Sequence, residues 1–260
     1  MAKTTISWTD YSHNLWWGCV EVSPACDNCY AARDAKRYGH DVWGDDKPRR
    51  FFKEAHMLEP LKWQRAAAAL GVMRRVFCGS FMDIGELHRD PVQAATMKIH
   101  RDHLFNVIVP ATPNLIWLFL TKRPWNMRSI VPSNWQRDGW PRNAWAGTTA
   151  ENQQWYNTRV AELGRLKAAN RFISHEPSLG RINYDFAGKG RGITWVIGGG
   201  ESGAGYRAEE EDDHRSDRDQ CAEFGVEYWF KQHSAFHPRL LGDKLDGRQH
   251  HGVPELTVAA

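Results

Sequence analysis

Short apolar runs recur along the chain, separated by longer stretches of helical periodicity. The clearest run, Leu115-Ile116-Trp117-Leu118-Phe119-Leu120, is apolar at every position, as a strand buried on both faces of a parallel sheet must be. Runs of the same kind predict strands over 76–81, 144–149, 171–175, 193–198 and 226–230, with a first strand over 14–18. Between them the pattern turns helical. Asp90-Pro91 offers a capping carboxylate and a first-turn proline. Tyr156, Val160, Leu163 and Leu166 make one apolar stripe, and Phe224-Gly225 marks a helix stop. Strands alternating with helices, with no internal repeat, predict an α/β chain of βαβ units. Seven strands of this kind fit a full or partial barrel, or an open doubly wound sheet.

The residues just after the predicted strands are rich in chemistry. Asp83 and Glu86 follow the second strand, Lys122 and Arg123 the third, Glu151 the fourth, His175 and Glu176 the fifth, Glu201 the sixth, Lys231 and Gln232 the last. Parallel β/α architectures collect ligands and catalytic groups at that C-terminal mouth.

At 260 residues the chain is long enough to bury a sizeable core. It reads as a single domain over 1–260, with a C-terminal extension from about 232. The first ten residues do not resemble a signal peptide, and no run reaches the roughly 20 apolar residues of a membrane span. A cytoplasmic protein with reduced thiols is expected. The net charge of +3 and pI of 8.6 fall short of the pI above about 9 typical of a nucleic-acid-binding domain. Charge alone therefore names no partner. Thirteen tryptophans supply large aromatic surfaces, for packing or for stacking on a ligand.

Three of the five cysteines, Cys19, Cys26 and Cys29, fall within eleven residues. Thiolates so close on one loop converge on a metal or an iron–sulfur cluster more readily than they pair, and an odd total argues against a disulfide framework. The spacing also fits a closed zinc site with His13, His40 or Cys78 as fourth ligand. Cys78, in an apolar strand, and Cys221, in a helix, read as buried inert thiols. Lys122 and Arg123 suit a carboxylate or phosphate, and Pro177 restricts the backbone of Glu176. The run Glu209-Glu210-Glu211-Asp212-Asp213 reads as a solvated loop entering a helix N-terminus. Lys47-Pro48-Arg49-Arg50, beside Trp43 and Phe51, offers a basic and aromatic surface for nucleic acid. A non-catalytic binding module would use Trp16, Trp43 and Arg49 as its contact surface.

A set of ordered motifs carries a family resemblance. Ile6-Ser7-Trp8-Thr9-Asp10, the cysteine loop over 19–29, Ser80-Phe81-Met82-Asp83, Leu120-Thr121-Lys122-Arg123-Pro124, Ile173-Ser174-His175-Glu176-Pro177, Gly199-Gly200-Glu201-Ser202-Gly203, Phe230-Lys231-Gln232 and Asp243-Lys244-Leu245-Asp246-Gly247-Arg248 follow one another along the chain. In this the sequence resembles the phage-associated family called phage protein Gp thirty-seven/sixty-eight, itself similar to radical SAM enzymes.

The resemblance implies a radical SAM-like partial (β/α) barrel of about six to seven mostly parallel strands. It implies a [4Fe–4S] cluster on Cys19, Cys26 and Cys29, with S-adenosylmethionine as cosubstrate. Three thiolates on a cluster of four irons leave one iron for the amino and carboxylate groups of SAM. Reductive cleavage of the sulfonium then yields a 5′-deoxyadenosyl radical that abstracts hydrogen from a substrate. The implied partners are SAM, a flavodoxin- or ferredoxin-like electron donor and a substrate such as a phage DNA base or nucleotide, in the host cytoplasm if the chain is phage-encoded. The residues expected to meet the cofactor are Ser80, Met82, Asp83, Thr121, Glu151, Ser174, Glu176 and Glu201, with Glu176, Lys122 and Glu201 acting in catalysis. A SAM-dependent transferase without radical chemistry is a further reading. The first cysteine gap, Val20 to Ala25, is six residues, longer than the usual radical SAM loop. Asn28 stands before Cys29, where an aromatic residue is usual, and Tyr30 comes one residue later.

Overall fold

The computed structural model, described over residues 4–255, gathers seven strands into one sheet whose spatial order is their order in the chain. They are β1 (Tyr11–His13), β2 (Arg74–Cys78), β3 (Leu115–Thr121), β4 (Ala144–Thr149), β5 (Arg171–His175), β6 (Ile193–Gly198) and β7 (Glu227–Phe230). Each runs parallel to the next. Crossovers between parallel strands are almost always right-handed, so an unreversed strand order puts them all on one face. The opposite face is covered only if the sheet curls. Among the described residues β1 and β7 do not pair, and the sheet is a partial (β/α) barrel.

Alternation along β3 shows both sides of this barrel. Ile116 and Leu118 point inward to Trp8, Phe77, Trp145, Phe172 and Trp195, which fill the lumen. Trp117 and Phe119 point outward to Met97, Phe105 and Trp135 beneath the helices. Both faces are apolar, which is why the strand reads as a continuous hydrophobic run. Gly147 on β4 has no side chain because a Cβ there would collide with the Phe172 ring.

The longer outer helices are α1 (Tyr30–Arg37), α2 (Pro60–Ala69), α3 (Pro91–His103), α4 (Pro124–Ile130), α5 (Gln153–Gly164) and α6 (Glu211–Phe224), with shorter ones over Glu54–Met57 and Ser133–Asp138. Asp90 caps α3, its Oδ1 accepting from Val92 N at 2.7 Å and Gln93 N at 3.2 Å, a cap worth about 1 kcal/mol. Gly225 ends α6 at φ 65, the left-handed conformation that glycine adopts without strain. Among the described residues no helix is long and apolar enough to cross a membrane.

Three local expectations are corrected. The first strand is Tyr11–His13 rather than 14–18. This edge strand is short and polar, and the apolar Trp16–Trp17 pairs instead with Arg50–Phe51 in a separate antiparallel ribbon. The basic cluster does not offer Arg49 to nucleic acid. Its guanidinium is buried against the Glu86 carboxylate and donates to the Val42 and Lys47 carbonyls at 3.0 and 2.7 Å. Trp16 is also fully buried, so the contact surface expected of a binding module is not assembled. In the acidic run, Glu209 is tied to Ser234 N and to His233 Nδ1, and Asp213 to Arg181, so neither is a freely solvated carboxylate.

Candidate cofactor site

The connection from β1 to β2 carries the cysteines. Gly18 N donates to Phe81 O at 3.0 Å, and Gly18 turns at φ 118, where a Cβ would strike the Val42 carbonyl. This close approach delivers Cys19 to the barrel mouth. Pro24–Cys26 then forms a 3-10 turn, and Cys29 occupies the N-cap position of α1.

The long gap between Cys19 and Cys26 is held at successive points by three arginines, each paired with a carboxylate. Arg123, paired with Asp83 at 2.7 Å, donates from Nη2 to Val20 O at 2.6 Å. Arg159, paired with Glu151 at 2.7 Å, donates to Ser23 Oγ at 2.9 Å, while Glu151 Oε1 accepts from Ala25 N at 3.4 Å. Arg207, paired with Glu201 at 2.5 Å, reaches Pro24 O at 2.8 Å and Asp27 Oδ2 at 3.1 Å. Asn28 Nδ2 completes the third anchor on Glu201 Oε2 at 2.9 Å. Charge-assisted bonds of this kind are about twice as strong as neutral ones. Burial works against ionisation of Asp83 and Glu201, yet Arg123 and Arg207 hold both carboxyls below their ordinary pKa.

Beneath the loop lies one cavity. Its wall includes the three cysteines and the strand-end residues Ser80, Lys122, Thr149, Ser174, Glu176 and Lys231, with Trp8, Phe77 and Leu120 among its apolar lining. Lys231 Nζ stands 2.7 Å from Glu176 Oε1 without the alignment of a hydrogen bond, and Ser174 Oγ donates to Glu176 Oε2 at 3.3 Å. Tyr30 OH donates to Ser80 O at 2.9 Å, and Asn14 Nδ2 to Ser80 Oγ at 2.8 Å. Burial pushes the Cys19 and Cys29 thiols up in pKa.

The donor set fits an iron–sulfur cluster. Three thiols share one cavity wall, and cysteine thiolates are the ligands that such clusters take. Two fourth ligands considered for zinc are elsewhere. His13 is buried against His56, Trp63 and Trp117, and Cys78 lies in the outer core. His40 packs edge-on to Trp17.

Ser80, Met82, Asp83, Thr121, Lys122, Ser174 and Glu176 all reach the cavity wall. Asp83 and Thr121 spend their polar atoms on each other and on Arg123. Glu151 and Glu201 stand outside the lining and anchor the cysteine loop instead. Thr149 also lines the cavity, and its only signal in the sequence is its place at the end of a predicted strand. Arg159 and Arg207 carried no local signal, because their partners in the loop are 136 and 183 residues away.

The model of one protein family, described as a protein of unknown function (DUF5131), matches residues 3–254. No curated protein matches the sequence. Among solved structures, the chain is similar to a spore photoproduct lyase mutant with bound AdoMet and dinucleoside spore photoproduct, at 12% identity and a TM-score of 0.48. The likeness covers 85% of this chain and 63% of the lyase chain.

Proposed function

The chain belongs to the DUF5131 family, whose function is unknown, and from the geometry of its site we propose that it is an iron–sulfur enzyme of the radical SAM type. One observation carries this reading. Three closely spaced cysteines and a set of strand-end polar groups share a single cavity at the C-terminal mouth of a parallel partial barrel. Cys19, Cys26 and Cys29 would hold a [4Fe–4S] cluster. When bound, the cluster and SAM would supply an electron and a 5′-deoxyadenosyl radical for hydrogen abstraction.

The remaining work falls to the protein. Ser80, Thr149 and Ser174 supply hydroxyl and backbone groups to orient SAM in the cavity. Glu176, held by Lys231 and Ser174, offers a fixed carboxylate to a hydroxyl or ammonium group. Lys122 offers an ammonium to an anionic group of cosubstrate or substrate. The apolar wall formed by Trp8, Phe77 and Leu120 excludes water from beneath. A phage DNA base or nucleotide as substrate rests on the family resemblance of the sequence.

The test is anaerobic reconstitution with iron and sulfide, then dithionite and SAM, with 5′-deoxyadenosine read by mass spectrometry. A Cys19/Cys26/Cys29 triple-alanine variant is the control. Cysteine-dependent deoxyadenosine supports the reading. Tightly bound zinc in place of iron after anaerobic preparation would overturn it.

A further inference from the structure

Of the three arginines that anchor the cysteine loop, Arg123 is the one whose hydrogen bonds reach a sulfur. Its Nη1 points at Cys19 Sγ across 3.7 Å while Nη2 donates to the adjoining Val20 carbonyl. The guanidinium is not free to swing away. Asp83 Oδ2 accepts from Nη1 at 2.7 Å, and Asp83 is itself fixed by the Thr121 hydroxyl, Gly85 N at 2.8 Å and Lys122 N at 3.1 Å. Arg159 and Arg207 contact the loop through the Ser23 hydroxyl, the Pro24 carbonyl and the Asp27 carboxylate.

Hydrogen bonds to cluster sulfurs, and positive charge beside them, favour the reduced and more negative state of an iron–sulfur centre. A planar guanidinium serves a sulfur, a carboxylate and a carbonyl at once, which a lysine ammonium on a flexible stem does not. We propose that Arg123, oriented by Asp83, raises the reduction potential of the centre held by Cys19 while anchoring the start of the cysteine loop. The inference rests on the cluster reading above.

The experiment compares Arg123→Lys and Arg123→Gln with the parent and with Arg159→Lys, all reconstituted anaerobically. Iron and sulfide per chain are measured, then the midpoint potential by a redox titration followed by electron paramagnetic resonance. The expected result is parental iron content with a negative shift in both Arg123 variants, larger for Gln, and an unshifted potential in Arg159→Lys. An unchanged potential in Arg123→Lys at full iron content overturns the proposal. An equal shift in Arg159→Lys also overturns it, since a general loosening of the loop would then account for the effect. Failure of the parent to take up cysteine-dependent iron sinks the cluster reading itself, and this inference with it.

Discussion

Arg159 Nη1 donates to Glu151 Oε2 across 2.7 Å, and both side chains are wholly shielded from solvent. The same guanidinium stacks over Trp155 at 4.1 Å and reaches Ser23 in the cysteine loop. Removing one partner of a buried ion pair leaves an uncompensated charge, which costs about 3–5 kcal/mol. Arg159→Met should therefore lose most of that amount in urea unfolding. Arg159→Met combined with Glu151→Gln should recover much of it, because no lone charge remains buried. A single variant as stable as the parent would show that the pair is not buried in solution.

Glu176→Gln separates binding from folding. The carboxylate faces the cavity and is held by Lys231 and Ser174, so its loss leaves no element of the barrel unsupported. Hydrogen bonds to charged groups contribute roughly 1.5–3 kcal/mol, so SAM affinity should fall about tenfold or more with little change in thermal midpoint. Calorimetric titration of the reconstituted protein checks this. Unchanged affinity would remove Glu176 from the binding site.

Acid should destabilise the fold through two buried histidines. Burial, reinforced by His56, lowers His13 to about 3, and burial with His175 and His233 lowers His214 to about 3. The unfolded chain takes up these protons near pH 6.5, so between pH 6.5 and 3 it binds more protons than the folded chain, and stability falls as pH falls. At pH 5 the loss is about 2 kcal/mol for each residue. His175 acts in the opposite sense. Burial opposes its charge, but Asp217 at 2.7 Å raises its pKa. Its contribution is full below pH 6.5 and fades as pH rises through the folded value. Denaturant melts at pH 7.5 and pH 5 should show a net acid loss that shrinks in His214→Gln. An equal loss in parent and variant would clear His214 of the effect.

Gly147→Ala probes the lumen. A Cβ at this position has no space against the Phe172 ring, and overpacking a well-filled core costs about 1–3 kcal/mol. Gly147→Ala with Phe172→Leu should be more stable than the sum of the two single changes, as expected for residues in contact. Additive losses would mean that the two positions do not meet.

The sequence by itself determined the elements whose signal is local. The runs over β4, β5 and β6 marked buried parallel strands at their observed bounds, and the apolar run over β3 stopped one residue short of Thr121. Asp90-Pro91 and Gly225 marked helix ends by cap chemistry that operates within a few residues. The cysteine spacing placed three thiols on one loop. What only the tertiary structure decided were the relationships between distant positions. β1 escaped because an edge strand of three mostly polar residues has no apolar period to read. Arg49 looked like a surface cation until Glu86, 37 residues on, was seen to bury it. Glu151 and Glu201 looked like cofactor ligands because they follow strands, but Arg159 and Arg207 turn them toward the cysteine loop. Hydrogen bonds such as those from Arg159 to Ser23 and from Arg207 to Pro24, closed across more than a hundred residues, leave no periodicity in the chain. The barrel's curl brings such partners together, and that curl follows from the packing of both sheet faces.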